Sequence, residues 1–229
     1  MHKKEVSMAD SIGIVITGVS GRMGQMLIKT IDCSDGMHLT GAIEQSGNDW
    51  VGRDVGDVLG GSSMGVVVSD DVKTVISGAD ALVDFTVPKA TVAFAEIAAV
   101  AGVAHIIGTT GFDAKQLAQI SNSAKKTPIV LAGNMSLGVN LLVKLTKQVA
   151  AVLDAEFDIE IIESHHNKKI DAPSGTALML GEAAADGRNV RLEDVRDTNR
   201  DGIVGARKQG DSGFVAIRGG DSVGEHDVM

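Results

Sequence analysis

The sequence predicts an α/β protein: a doubly wound parallel sheet over residues 1–136, then a smaller α+β domain with an open mixed sheet over residues 137–229. Three observations carry this expectation. From Ile12 to Ala132, short apolar β-branched runs alternate with helix-patterned stretches, as in units whose strands are covered on both faces. A glycine-rich turn, Gly18-Val-Ser-Gly21-Arg-Met-Gly24, directly follows the first such run. Beyond residue 136 the pattern changes to one long helix and then a strand of alternating polarity.

Element by element, Ile12–Thr17 (IGIVIT) reads as a strand, and the spacing of Met23, Met26, Leu27 and Ile31 predicts a helix. His38–Glu44 is a second strand. Residues 45–65, rich in Gly, Asp and Ser, are expected to form a loop. Val66–Val68 is a short strand, Val72–Ile76 a short helix and Ala81–Phe85 a buried strand. Ala90–Ala101, Ala-rich and free of Gly and Pro, is a helix. His105–Ile107 is a strand ending in Gly108-Thr109-Thr110-Gly111, and Asp113–Ser123 and Pro128–Ala132 complete the first domain as helix and strand. In the second, Leu137–Leu153 is a long helix with Val139, Leu142, Val143, Leu145, Val149 and Val152 as its apolar positions. Phe157–Glu163 is a strand with Phe157, Ile159 and Ile161 on one face, and Ser174–Ala185 is a helix. Residues 186–211 are polar and loop-like, and Gly213–Arg218 and Val223–Met229 are strands. The opening MHKKEVSMAD is polar, lacks the apolar stretch of a signal peptide and reads as a leader before the first strand.

Composition excludes several function classes. A net charge of −9 argues against a nucleic-acid surface, which needs a basic patch. The absence of Tyr and the single Trp argue against stacking platforms for single strands. The apolar runs stop well short of the ~20 residues of a membrane span. The single cysteine, Cys33, rules out an intrachain disulfide and fits a reducing cytoplasm. The expected partner is therefore a small molecule, with neither nucleic acid nor membrane involved.

The glycine turn lies between a strand and a helix, where outward-facing N–H groups bind a pyrophosphate. Glycine allows the tight turn and the close approach of phosphate to backbone. The G-x-x-G-x-x-G spacing is a variant of the usual fingerprint, and a plain glycine-rich turn is the alternative reading. Two features favour a Rossmann-like dinucleotide site. Glu44 ends the next strand, ~20 residues on, where an acidic group grips ribose hydroxyls, although an ordinary exposed charge is also open there. Gly108-Thr-Thr-Gly111 ends a later strand, where the nicotinamide half should lie.

The densest chemistry is Glu163-Ser-His165-His166-Asn-Lys168-Lys169-Ile-Asp171-Ala-Pro173-Ser174-Gly175-Thr176. Histidine delivers protons near neutral pH, and lysine supplies a cation for an anionic substrate. Pro173–Thr176 opens a helix whose free N–H groups and hydroxyls suit a carboxylate. A proton source, a cation and an anion cradle in one segment fit a small dicarboxylate. The bland alternatives are a solvated lysine turn and a simple helix cap. A metal site is disfavoured, because neighbours on a strand point to opposite faces and no third ligand stands at a familiar spacing.

With GVSGRMG, DFTVP, IGTTGF, NMSLGVN, ESHHNKKIDAPSGTA and VGEH, the chain resembles the dihydrodipicolinate reductase family of bacterial lysine synthesis, from about residue 12 to its last residue. The His-His…Lys…Pro-Ser-Gly-Thr segment is the specific part of the resemblance. The resemblance implies hydride transfer from NADH and/or NADPH to 4-hydroxy-tetrahydrodipicolinate, giving tetrahydrodipicolinate, in a homotetramer built through the second domain's sheet. It implies that His165 is the general acid and Lys169 a second acid–base group facing a substrate carboxylate. It implies that His166, Gly175 and Thr176 bind the dicarboxylate. The dinucleotide would meet Gly18, Val19, Ser20, Gly21, Arg22, Met23, Glu44, Gly108, Thr109, Thr110, Ala132, Gly133, Asn134 and Met135.

Two departures from the family pattern bear on function. Family members often carry Arg after the acidic residue, where it reaches a 2′-phosphate. Here Gln45 stands in that place, so NADH is expected to serve at least as well as NADPH. The family also continues several tens of residues past the position of Met229 and supplies a substrate-gripping Arg from that part, so reduced or absent activity is expected of the 229-residue chain. The competing class is a non-catalytic dinucleotide-binding redox sensor on the same fold, which has no need of the His165–Thr176 segment.

Overall fold

A computed structural model describes residues 11–229, so the polar leader through Asp10 lies outside the described residues. The chain divides into two compact units, one ending at Ala132 and the other running from Gly133 to Met229.

The first unit follows chain order as β1 (Ile12–Thr17), α1 (Arg22–Asp32), β2 (Met37–Ile43), α2 (Val55–Val58), β3 (Val68–Ser69) and α3 (Val72–Ile76), then β4 (Ala81–Asp84), α4 (Pro88–Ala101), β5 (Ala104–Ile107), α5 (Ala114–Ser123) and β6 (Ile129–Leu131). Its six strands pair in parallel in the order β3-β2-β1-β4-β5-β6. Chain direction across the sheet reverses between β1 and β4, the point where ligands settle in doubly wound sheets. Alternation along β1 explains the two covering layers. Ile14 and Ile16 pack with Ile28 and Ile31 of α1, while Val15 packs with Ile43, Ile76, Leu82 and Ala98 on the other face.

Local chemistry sets the helix limits. Pro88 occupies the first turn of α4, and Gly102, left-handed at φ 71°, closes it. Asp113 and Gln116 form a reciprocal capping box on α5. The segment 45–65, expected to be a loop, contains the single turn α2. Asp54 caps it by accepting from Gly56 N, and it also accepts from Met64 N, an arrangement that no apolar periodicity advertises.

The second unit contains α6 (Leu137–Val152), β7 (Ile159–His165), α7 (Gly175–Gly187), α8 (Leu192–Val195), β8 (Arg196–Asp197), β9 (Ser212–Arg218) and β10 (Glu225–Val228). Its sheet runs β10-β7-β9-β8, with β7–β9 and β8–β9 parallel and β10–β7 antiparallel. Ile159, Ile161 and Phe214 pack on Ala177, Leu180 and Ala184 of α7. Gly181 permits this contact, because a Cβ there would stand 2.4 Å from the Phe214 ring. The opposite sheet face leaves Val215 and Ile217 exposed. Phe157, expected on the buried face of its strand, is exposed and precedes β7. The stretch 186–211, expected to be loop, includes α8 and β8, which are held where Leu192 buries against the core and Arg200 binds Glu160 and Asp197. Among the described residues, no helix is long and apolar enough to cross a membrane.

Candidate active site

In the first unit, the ends of β1, β2 and β4 frame a cleft of about 420 Å³ lined by Gly18, Ser20, Gly21, Glu44, Gln45 and Thr86. Its floor is the glycine turn. Gly18 is left-handed at φ 65°, and Gly24 is packed so closely that a Cβ would stand 2.3 Å from Gly18 O. Gly21 begins α1 without a side-chain cap, so the first-turn N–H groups have no side chain of their own helix to satisfy them. An uncapped helix start over a glycine floor fits the pyrophosphate of a dinucleotide.

Glu44 closes the side of this cleft. Its Oε2 accepts from Ser20 N at 3.0 Å and from Ser20 Oγ at 2.7 Å, while Oε1 accepts from Gln45 N at 2.8 Å. Arg22 and Met23 are exposed at the start of α1, whereas the Val19 side chain is fully buried, so Val19 offers only main-chain groups. At the end of β5, Gly108 lies against the Phe85 ring so tightly that a Cβ would come within 2.0 Å of it. Thr109 is buried, and Thr110 is exposed. Sequence reasoning missed Phe85, Thr86 and Val87, which follow β4 and line the same cleft. Their signal was positional, since they follow the strand beside the crossover.

In the second unit, β7 delivers Glu163 and His165 to one face, two residues apart. The Glu163 carboxylate is 1% exposed and gathers four donors: His165 Nδ1 at 2.5 Å, Arg218 Nη1 and Nη2 at 2.7 Å each, and Ser174 N at 3.0 Å. Burial pushes this carboxyl up, but Arg218, His165 and the Ser174 N–H outweigh burial and hold it down to about 2. Strand register explains the convergence. In the parallel β7–β9 ladder Arg218 pairs with His165, and in the antiparallel β10–β7 ladder His226 pairs with Glu163. His226 Nε2 is 2.8 Å from Ser174 Oγ, and its ring stands edge-on to His165 with centroids 5.1 Å apart. Burial first, then the charge of His165, lower its pKa, which suits a neutral ring taking the Ser174 hydroxyl proton.

The start of α7 is open. Ser174 caps it by accepting from Ala177 N, and a Cβ on Gly175 would meet nothing within 4 Å. Thr176 Oγ1 accepts from Asn134 Nδ2 at 3.0 Å, which ties a residue expected at the dinucleotide to one expected at the dicarboxylate. Lys169 Nζ pairs with Asp171 Oδ1 at 2.8 Å. Burial raises the Asp171 carboxyl, but Lys169, a main-chain hydrogen bond and the Arg218 charge together outweigh it and leave the carboxyl below the usual range. His166 Nδ1 accepts from Lys168 N at 3.2 Å. Sequence reasoning gave no role to Glu163, Asp171, Arg218 or His226. Two-residue alternation in β7 was the available signal for Glu163. Arg218 and His226 join the cluster only through register across distant strands.

Comparison with known proteins agrees with both halves. The family model described as "Dihydrodipicolinate reductase, N-terminus" matches residues 12–135, and that described as "Dihydrodipicolinate reductase, C-terminus" matches residues 138–229. A 4-hydroxy-tetrahydrodipicolinate reductase of Ruegeria sp. (strain TM1040) is 63% identical over 222 residues, covering 97% of this chain and 82% of the relative. The enzyme of the same name from Parvibaculum lavamentivorans is 52% identical, again over 97% and 82%. Among solved structures, a dipicolinate-bound dihydrodipicolinate reductase from Paenisporosarcina sp. TG-14 superposes with a TM-score of 0.68 at 27% identity, covering 95% of this chain and 82% of that one. With family models spanning nearly the whole chain and relatives at this identity, the chain belongs to the dihydrodipicolinate reductase family.

Proposed function

We propose that this chain reduces 4-hydroxy-tetrahydrodipicolinate to tetrahydrodipicolinate with a reduced nicotinamide dinucleotide. The hydroxyl leaves as water together with a proton from the neighbouring ring carbon, and one hydride and one proton then add across the resulting conjugated imine. The observation that carries the reading is the His165 imidazole held on the buried Glu163 carboxylate, in the unit that also presents the open start of α7. When bound, the dinucleotide supplies the hydride. His165 supplies the proton to the ring carbon next to the one receiving hydride, and a well-placed acid accelerates such a step by ~10²–10⁴-fold. Glu163 stabilises the charged imidazolium before transfer and fixes its orientation. Lys169, His166 and the N–H groups of Gly175 and Thr176 hold the carboxylates. The dipicolinate bound to the Paenisporosarcina relative supports this substrate class. For substrate to bind, Lys169 exchanges Asp171 for a substrate carboxylate, and the exposed position of Asp171 makes that exchange easy.

Gly18, Val19, Ser20, Gly21, Arg22, Met23, Glu44, Gly108, Thr109 and Thr110, with Ala132, Gly133, Asn134 and Met135, form the dinucleotide contacts in this reading. NADH serves at least as well as NADPH, because Gln45 is neutral and Asp70 adds negative charge to the same cleft. The open sheet face carrying Val215 and Ile217 is the surface through which a homotetramer forms, and the reaction is cytoplasmic. Loss of reduced-nicotinamide absorbance on adding freshly prepared substrate tests the activity. If the dinucleotide binds and the substrate never oxidises it, the redox-sensor reading takes its place.

A further inference from the structure

Beneath the proposed dinucleotide cleft lies a buried carboxylate beside a buried imidazole, neither with a part in the proposed hydride or proton transfer. Asp84, the last residue of β4, and His105 of β5 are both fully buried, with His105 Nε2 3.5 Å from Asp84 Oδ2. Asp84 Oδ1 accepts from Thr17 Oγ1 at 3.0 Å, Thr86 N at 3.0 Å and Thr86 Oγ1 at 2.6 Å. Its main-chain oxygen accepts from Gly108 N at 2.8 Å. Thr86 N also reaches Thr109 Oγ1 at 3.0 Å, and Thr91 Oγ1 of α4 donates to the same oxygen at 2.9 Å. Thr17, Thr91 and Thr109 are buried, so these hydroxyls face inward.

Three chain segments therefore meet on one residue. Thr17 precedes Gly18 of the pyrophosphate turn, Thr86 follows β4 in the wall of the cleft, and Gly108–Thr109 follows β5. We infer that Asp84 is the positioning residue of the dinucleotide cleft, its buried carboxylate joining the end of β1 to the turn after β4 while its main-chain oxygen holds the end of β5. The inference rests on reading that cleft as the nicotinamide dinucleotide site.

The physical argument is one of cost. A buried carboxylate is expensive to desolvate, and apolar replacements of buried ionic groups are often neutral or stabilising, so bulk stability does not call for it. A carboxylate oxygen accepts several charge-assisted bonds at once, which an apolar side chain cannot do. Two threonine hydroxyls on one carboxylate oxygen, with the Thr91 and Thr109 hydroxyls joined to them through Thr86, are the equipment for fixed geometry at strand ends, where a small displacement of a phosphate-binding turn is costly to binding.

The test uses the full chain and compares Asp84→Asn, Thr91→Val and Thr91→Ser. Thr91 sits in the interior of the network, away from the cleft, so its variants report on frame rigidity and not on lost cofactor contact. The readouts are NADH affinity from fluorescence titration and the split between the KM values for dinucleotide and dicarboxylate. The expected result is weaker NADH binding by about tenfold in Asp84→Asn and about threefold in Thr91→Val, from loss of charged and neutral hydrogen bonds respectively. Thr91→Ser, which keeps the hydroxyl, returns to within about twofold of the parent, and the dicarboxylate KM moves by less than about twofold throughout. Equal NADH affinity in parent, Thr91→Val and Thr91→Ser overturns the inference, and that comparison decides the matter if Asp84→Asn does not fold. A parent chain that binds no dinucleotide overturns the cleft reading and this inference together, whereas a binding parent with indifferent variants overturns this inference alone.

Discussion

Nδ1 of His165 lies 2.5 Å from Oε2 of Glu163, two residues back on the same face of β7. This contact commits Nδ1–H to the carboxylate and leaves Nε2 as the nitrogen available for proton delivery. Gly224 guards that side, since a Cβ there would stand 2.8 Å from Nε2.

Replacing Glu163 with Gln keeps the shape and removes the anion that stabilises a protonated ring. The expected outcome is a fall in kcat of about ten- to hundredfold, with a smaller change in dinucleotide KM. Steady-state rates with both substrates varied check this, and an unchanged kcat removes Glu163 from the proton-delivery step.

The same carboxylate predicts an acid sensitivity whose sign is fixed. Its pKa in the folded chain is lowered from 4.5 to about 2, so the folded form binds the proton less readily than the unfolded one. The resulting stability is complete above the unfolded value and is lost as pH falls from 4.5 toward about 2. Allowing for screening around the partly exposed Arg218, the loss is on the order of 1–2 kcal/mol. Urea unfolding at a series of pH values measures it, and the Glu163→Gln chain should show a correspondingly flatter acid limb.

Arg218 is the largest contributor holding the Glu163 carboxylate ionised, with two parallel bonds of 2.7 Å and a third bond to Asp171 O. Arg218→Met strands a buried anion, and the melting temperature is expected to fall by at least about 3 °C. The fall should shrink in a Glu163→Gln background, where no stranded charge remains. Equal falls in both backgrounds would mean that Arg218 acts through its other contacts.

Much of the first unit was legible in sequence, because its strands are short apolar runs buried on both faces and its turn is made of glycine. Glu44 was legible as a cleft residue, though not its bonds to the Ser20 main chain and hydroxyl, since those depend on how the turn folds back. In the second unit the histidines and lysines stood out as chemistry, while the groups that set their state did not. His226 lies 63 residues after Glu163 in the sequence and meets it only because β10 runs antiparallel to β7. The segments α2, α8 and β8 were invisible for a different reason. Each is too short to show a period, and capping by Asp54, burial of Leu192 and the Arg200 ion pairs hold them in place.

The Lys169–Asp171 pair makes Asp171 a competitor for the cation assigned to the substrate carboxylate. Asp171→Asn removes that competition, so the KM for the dicarboxylate should fall by about two- to fivefold, the scale of an exposed ion pair. Substrate titration at fixed dinucleotide reads the change directly. A raised KM would show instead that Asp171 holds Lys169 in place for binding.

In the proposed reading, cofactor choice turns on the mouth of the first-unit cleft, which Gln45 and Asp70 line together with Glu44. A 2′-phosphate placed there meets no cation from Gln45 and a repelling carboxylate from Asp70, whereas a free ribose meets the Glu44 carboxylate. Gln45→Arg supplies the missing charge in a geometry suited to phosphate, so the NADPH-to-NADH ratio of kcat/KM should rise by at least about tenfold. Asp70→Asn removes repulsion without adding a donor and should raise the same ratio by a smaller factor. Rates with both dinucleotides for the parent and the two variants check the argument. A parent preference for NADPH above about tenfold would point to the exposed Arg22, at the start of α1, as the group that meets the phosphate.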